Sequence, residues 1–302
     1  MKPSEDQFDA ALVRALQQDG RASIQTLADE LEASRAQVSS RLKRLLDDGT
    51  VRVVAAVDPG FLGHSILTHN MLRVSGSTAH VTEQLRAREE TVFVSAVSGA
   101  DHVVFETRFG STDAMLELLQ WVRSLEGVER VSTTTYIRIV RGFFVANYRG
   151  DYEPDDIDRK LITLLEGDGR RSYTALAGDV GMQPSSVRER VNRLIEQNVI
   201  RISAVEARGV VRGQLGVGVG ITSRGDDEQI AEFLAKNKAV DFAAQSYGRH
   251  DFIATMVGPN PRSVFASIEA LRALPATAAV ESWTHLHVVK EDYARTLRPA
   301  EL

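Results

Sequence analysis

Apolar residues near the start of the chain recur at helical spacing. Phe8, Leu12, Ala15 and Leu16 share one stripe and predict a helix over 8–18. Asp19 and Gly20 end it, glycine being favoured just past a helix. Ser23 then caps a second short helix whose inward face is Leu27, Ala28 and Leu31. Ser34 and Gln37 have the spacing of a capping box and open a third helix running to about Asp47. Its inward positions are Val38, Leu42, Leu45 and Leu46, and Gly49 closes it. Three short helices with a tight turn before the last predict a helix-turn-helix, and VRVVAAV after it reads as a short strand or wing.

Beyond this the periodicity changes. Strand patterns at 67–74, 91–97, 102–109 and 128–140 alternate with helical ones at 79–88 and 112–125, the order β-α-β-β-α-β of a ferredoxin-like split unit. Such a sheet keeps one apolar face uncovered, which predicts face-to-face pairing with another sheet.

The whole pattern then repeats. Asp19 and Asp168 begin equivalent stretches 149 residues apart, and Gly99 and Gly248 keep that offset. The second copy has helices at 157–165, 173–180 and 184–197, with inward Val187, Val191, Leu194 and Ile195. Pro184 takes the first position of its helix, where proline is tolerated. Strands follow at 215–222, 240–247, 251–257 and 280–289, with helices at 227–236 and 262–274. The expected fold class is α+β: two tandem copies of a winged helix-turn-helix plus a ferredoxin-like domain. The helix-turn-helix domains span 1–57 and 157–206, and the sheet domains 64–142 and 213–290. A linker lies at 143–156 and a tail at 291–302. The two sheet domains are expected to pair within one chain, the alternative being that each pairs with its counterpart in a second chain; further association of chains is expected.

Composition narrows the chemistry. The 302 residues contain no cysteine, so disulfides and thiolate metal sites are excluded. The start has no apolar run and no stretch is long enough to cross a membrane, which predicts a cytoplasmic protein. The net charge of −5 does not advertise a nucleic-acid binder, yet from Ser34 to Leu46 there is no acidic residue. The exposed side of that helix carries Arg35, Gln37, Ser39, Ser40 and Lys43. Early residues of such a helix meet base edges and its flanks hold phosphates, a role expected of Arg21 and Arg44. The equivalent set in the second copy is Arg170, Ser186, Arg188, Asn192 and Arg193, beside Pro184 and Glu189. The inward positions agree between copies and the outward ones differ, so a shared scaffold reading different bases is expected.

Two loops suggest ligand chemistry. Gly99-Ala100-Asp101-His102 and Gly248-Arg249-His250-Asp251 each join the second and third strands of their sheet. A glycine allows close backbone approach, and a carboxylate there could hold an ammonium group while amides hold a carboxylate. The glycines Gly216, Gly218 and Gly220 lie inside a strand pattern, where they mark a face approached closely by another backbone. His285 and His287 would point to one side of a strand but lack a third ligand, so no metal and no cofactor is expected. No catalytic motif stands out, and the expectation is a non-enzyme.

Asp19-Gly20-Arg21 with Arg41-Leu42-Lys43-Arg44-Leu45, and Asp168-Gly169-Arg170 with Arg190-Val191-Asn192-Arg193-Leu194, each precede a β-α-β-β-α-β pattern. In this the chain resembles the Lrp/AsnC (feast/famine) regulators over nearly its whole length, twice. The resemblance implies a DNA-binding transcription factor whose second, RAM-type domain mediates dimerisation and binds a small effector, often an amino acid. The family's loop of glycine, two residues and aspartate is kept by Gly248 and Asp251; the first copy has His102 at the aspartate position and Asp101 one place early. The siroheme decarboxylases share this duplicated architecture, but HVVFETRF and DFIATMV lack their aromatic run. A binding module without DNA recognition is the other alternative.

Overall fold

The structure is a computed structural model that describes residues 5–142, 148, 150, 152–206, 215–258 and 260–292. Half of the expected linker and most of the expected tail fall outside these residues. The first copy comprises α1 (Glu5–Gln18), α2 (Ile24–Glu30), α3 (Arg35–Asp47), β1 (Val51–Val57), β2 (Ile66–Val74), α4 (Ala79–Ala87), β3 (Thr91–Val97), β4 (Val103–Phe109), α5 (Thr112–Ser124) and β5 (Val128–Arg141). The second repeats the order as α6 (Asp156–Gly167), α7 (Tyr173–Val180), α8 (Pro184–Glu196), β6 (Ile200–Glu206), β7 (Leu215–Ser223), α9 (Asp227–Lys236), β8 (Val240–Tyr247), β9 (Phe252–Gly258), α10 (Pro261–Arg272) and β10 (Thr277–Glu291).

The copies are not the compact units. One unit joins the chain up to Phe61 with 147–211, and the other joins 62–146 with 212–293. Each unit therefore takes one half from each copy.

In the helix-turn-helix unit, Ser23, Ser34 and Ser172 cap α2, α3 and α7 through their side chains. The cores are Leu12, Leu16, Leu27 and Val38 in one copy, and Leu161, Leu165, Leu176 and Val187 in the other. Ile195, expected inward, is 37% exposed, because Val187, Val191 and Leu194 complete the buried stripe of α8. β1 and β6 are not wings of separate domains. They pair antiparallel with each other from Val51↔Glu206 to Val57↔Ile200, so one ribbon serves both copies. Gly20 does more than stop α1. Its amide donates to the Ile202 carbonyl at 3.1 Å, and a Cβ there would lie 2.8 Å from Ile202 backbone.

In the sheet unit, each copy forms the strand order 4-1-3-2 of a ferredoxin-like sheet. The two sheets also join edge to edge, through β5–β8 and β10–β3, into a closed barrel ordered β10-β3-β4-β2-β5-β8-β9-β7. This explains why β10 runs longer than its apolar pattern. Its first half pairs with β7 and its second half, from His285, with β3. Outward strand residues pack with the covering helices: Leu72 and Phe105 with Leu118 of α5 in one core, and Val219 and Phe252 with Leu271 of α10 in the other. Inward residues of both copies, including Met71, Phe93, Val104, Ile253 and Trp283, form a third. An eight-stranded barrel has an interior about wide enough for side chains to fill.

Gly218 and Gly220 do not receive a backbone, as expected, but rings. A Cβ on Gly218 would lie 2.0 Å from Trp283 Nε1, and one on Gly220 would lie 2.5 Å from His250 Nε2. His285 and His287 do not share a side. A register shift between them leaves His285 half-buried against Phe93 and His287 exposed.

Candidate nucleic-acid interface and effector loops

The reading helices α3 and α8 are held by matching ties. Arg41 donates through Nε to Asp9 Oδ1 at 2.7 Å and through Nη1 to Glu5 Oε2 at 2.7 Å. Hydrogen bonds to these two carboxylates raise the Arg41 pKa further above its ordinary value. Arg190, at the equivalent position, donates to Asp155 Oδ2 at 2.8 Å and Asp158 Oδ1 at 2.9 Å. Arg44, expected near phosphate, donates to Asp9 Oδ2 at 2.9 Å, and its counterpart Arg193 lies against the Tyr152 hydroxyl. Both keep exposed surface, but each is engaged by its own domain.

The remaining residues of the two faces divide clearly. Arg35, Gln37, Ser39, Ser40 and Lys43 are all exposed on α3, and among the described residues Arg35 and Lys43 form no ion pair. On α8, Arg188 and Asn192 are exposed beside the exposed Glu189, while Ser186 is half-buried.

Arg21 and Arg170 are placed elsewhere. Arg21 donates to the carbonyls of Gly169 and Arg171, at 2.6 and 3.0 Å, and its guanidinium lies 4.3 Å from the centre of the Tyr173 ring. Arg170 returns the same grip to the carbonyls of Gly20 and Ala22, at 2.6 and 3.0 Å. Their donors are turned into the unit, which corrects the expectation that they face phosphates.

The two loops of the sheet unit meet. Arg249 Nη1 donates to Asp101 Oδ2 at 2.6 Å, and Arg130 Nη2 to Asp101 Oδ1 at 2.8 Å. Burial pushes the Asp101 pKa up, but the two arginines outweigh it and hold the carboxyl below its ordinary range. With both oxygens taken and its side chain 0% exposed, Asp101 is not the open carboxylate expected to hold an ammonium group. Arg249 also grips Glu281, at 2.7 and 2.9 Å, and His250 Nε2 lies 2.9 Å from the same carboxylate. Burial lowers the His250 pKa despite that neighbour.

Asp251 and His102 do equivalent work with different chemistry. Asp251 Oδ2 accepts the Ser223 amide at 2.8 Å, while His102 Nδ1 lies 3.2 Å from the Val74 amide nitrogen and 2.8 Å from its carbonyl oxygen. Val74 and Ser223 are themselves 149 residues apart. The departure from the loop pattern in the first copy therefore replaces one strand-end cap by another. Gly248 has φ 140°, and a Cβ there would lie 2.9 Å from the Thr133 carbonyl oxygen, whereas Gly99, with φ 116°, stands clear.

Arg130 and Glu281 were not foreseen in the loop cluster, because both come from strands and neither has a counterpart in the other copy. The ties to Asp9 and Asp158 had a usable signal. These aspartates, like Arg41 and Arg190, are identical at the 149-residue offset.

A duplicated helix-turn-helix with exposed polar reading faces, carried with a closed ferredoxin-like barrel, defines a DNA-reading class of protein. The family model of the AsnC-type helix-turn-helix domain matches residues 6–46 and again 155–195. Single copies align with known relatives. An HTH-type transcriptional regulator of Pyrococcus horikoshii is 30% identical over 146 residues, which are 47% of this chain and 92% of that protein. The regulator FL11 of Pyrococcus abyssi is 27% identical over 140 residues, 46% of this chain and 93% of its own. The chain belongs to the Lrp/AsnC family of helix-turn-helix transcriptional regulators, in a tandem double-copy form. The duplicated fold as a whole is similar to that of the siroheme decarboxylase NirDL, with a TM-score of 0.63 at 17% identity, covering 94% of this chain and 93% of that one.

Proposed function

We propose that this regulator binds one asymmetric double-stranded DNA site, with α3 and α8 reading different half-sites. The observation that carries this is the contrast between the reading faces. Arg35, Gln37, Ser39, Ser40 and Lys43 present an exposed face without acids, whereas Arg188 and Asn192 stand beside Glu189. Phosphate neutralisation scales with the cations offered, so α3 supplies the larger share of salt-dependent affinity. Selection of bound duplexes from random DNA tests the reading. A recovered site made of two unlike half-sites supports it; a perfect palindrome, or no enrichment, overturns it.

The effector, on this reading, is a small polar molecule such as an amino acid bound where the loops Gly99–His102 and Gly248–Asp251 meet. Arg130 and Glu281 offer it charge of both signs, their side chains being 47% and 39% exposed. Running the selection with and without pooled amino acids tests this, and unchanged DNA affinity counts against it. Chains associate further through exposed apolar residues of the sheet unit. We assign the protein no catalytic role.

A second reading, a tetrapyrrole-acting enzyme like NirDL, is favoured by one feature. Trp283 has the buried rings of His69 and His250 beside it, with centroids 5.5 and 6.2 Å away. A visible absorbance change and turnover on adding siroheme would establish it.

A further inference from the structure

Arg21 and Arg170 form a reciprocal clasp. Each reaches the turn between the first two helices of the other copy and donates two hydrogen bonds to its main-chain carbonyls. The clasp is backed by two more cross-copy contacts, Gly20 amide to Ile202 carbonyl at 3.1 Å and Gly169 amide to Val53 carbonyl at 2.8 Å. Neither glycine position has room for a Cβ, since Ile202 lies 2.8 Å from where each would sit. The recognition helices α3 and α8 run within three residues into the two strands of the shared ribbon, β1 and β6. Ribbon, glycine contacts and clasp together leave α3 and α8 one relative position within this unit.

Burial first, and then the charge of Arg21, disfavour the Arg170 cation, with Asp19 and Asp168 offsetting only part of this, so an arginine here is costly if it serves packing alone. What arginine adds is its planar fork, which fixes two acceptors at once where lysine offers a point charge. We infer that Arg21 and Arg170 are positioning residues that set the spacing between the two half-sites, without touching the nucleic acid. The inference rests on the DNA-reading function proposed above. Each base pair added to a spacer displaces the half-sites by about 3.4 Å along the axis and also rotates them. A rigid pair of reading helices therefore tolerates one spacer length.

The experiment uses the full chain and the selected duplex, resynthesised with its spacer lengthened or shortened by one to five base pairs. The wild-type protein is expected to lose tenfold or more in affinity at two base pairs from the optimum. Arg21→Gln with Arg170→Gln should flatten that preference to threefold or less, and lysine at both positions should not restore it. The slope of log affinity against log salt should stay unchanged, whereas a lost phosphate contact lowers it by about 0.9 each. A changed slope, rescue by lysine, or a wild type indifferent to spacing overturns the inference while leaving DNA binding intact. Failure to enrich any duplex overturns the DNA reading instead. Should the double variant not fold, Tyr173→Leu removes the ring beneath Arg21, and unaltered spacer selectivity in that variant counts against the clasp.

Discussion

His69 illustrates how far a single residue is set by its surroundings. It faces the barrel interior from β2, and burial, followed by the nearby His250, His285 and Arg249, lowers its pKa to about 3. The unfolded chain therefore binds a proton below about pH 6.5 that the folded chain refuses until about pH 3. Stability should fall on acidification across that window, by up to about 1.4 kcal/mol per pH unit from this group. Urea titrations at pH 7 and pH 5 measure it, and His69→Gln should shrink the difference. At the reading face, replacing Arg35 and Lys43 together by alanine should lower the salt slope of DNA binding by about 2, against about 1 for Arg188→Ala. Equal slopes would refute the unequal shares of α3 and α8. Arg44→Ala would test something else, since its partner Asp9 also anchors Arg41.

At the scale of elements, the copies can be compared position by position. The turn before each recognition helix needs a left-handed residue, supplied by Gly181 with φ 69° in one copy and by Glu32 with φ 50° in the other. A side chain in that conformation costs about 1 kcal/mol or more. Glu32→Gly should therefore stabilise the first helix-turn-helix by about 1 kcal/mol, read as a higher melting temperature. An unchanged or lower value would mean that Glu32 makes a compensating interaction. The opposite exchange closes the recognition helices, where Gly49 has φ 72° and Asn198 φ 56°. Asparagine tolerates that region better than glutamate does, so no comparable gain is expected there.

For the whole molecule, four of the six large exposed apolar residues among those described fall into two equivalent pairs, Ile195 and Tyr247 being the exceptions. Leu116 and Phe265 sit at one offset position on α5 and α10, and Ile137 and Leu286 at another on β5 and β10. A molecule that presents the same patch twice is suited to closed association with copies of itself. Ile137→Asp with Leu286→Asp should shift the protein to a smaller species in light scattering. Barrel closure should survive, because both residues lie outside the interior core. A wild type that is already strictly monomeric would remove this expectation. Among the described residues, no helix is long and apolar enough to cross a membrane.

The amino-acid sequence by itself determined two copies of one design, nearly every helix and strand, and the buried stripes. Periodicity reports which face of an element is covered, and a gap-free offset reports duplication. The outward residues of α3 were legible for the same reason, being what remained once Val38, Leu42 and Leu45 were assigned inward. Only the tertiary structure decided what covers each face. That β1 pairs with β6, and that β5 and β10 each cross to the other copy's sheet, follows from main-chain hydrogen bonds, which carry no side-chain signature. The same gap hid the work of Arg21 and Arg170. Sequence supplies a charge, but whether a guanidinium meets solvent or a carbonyl of the other copy depends on which chain segment arrives beside it. The loop residues Asp101 and Asp251 were equally undecided until their partners, Arg130, Arg249 and the Ser223 amide, were brought to them by the fold.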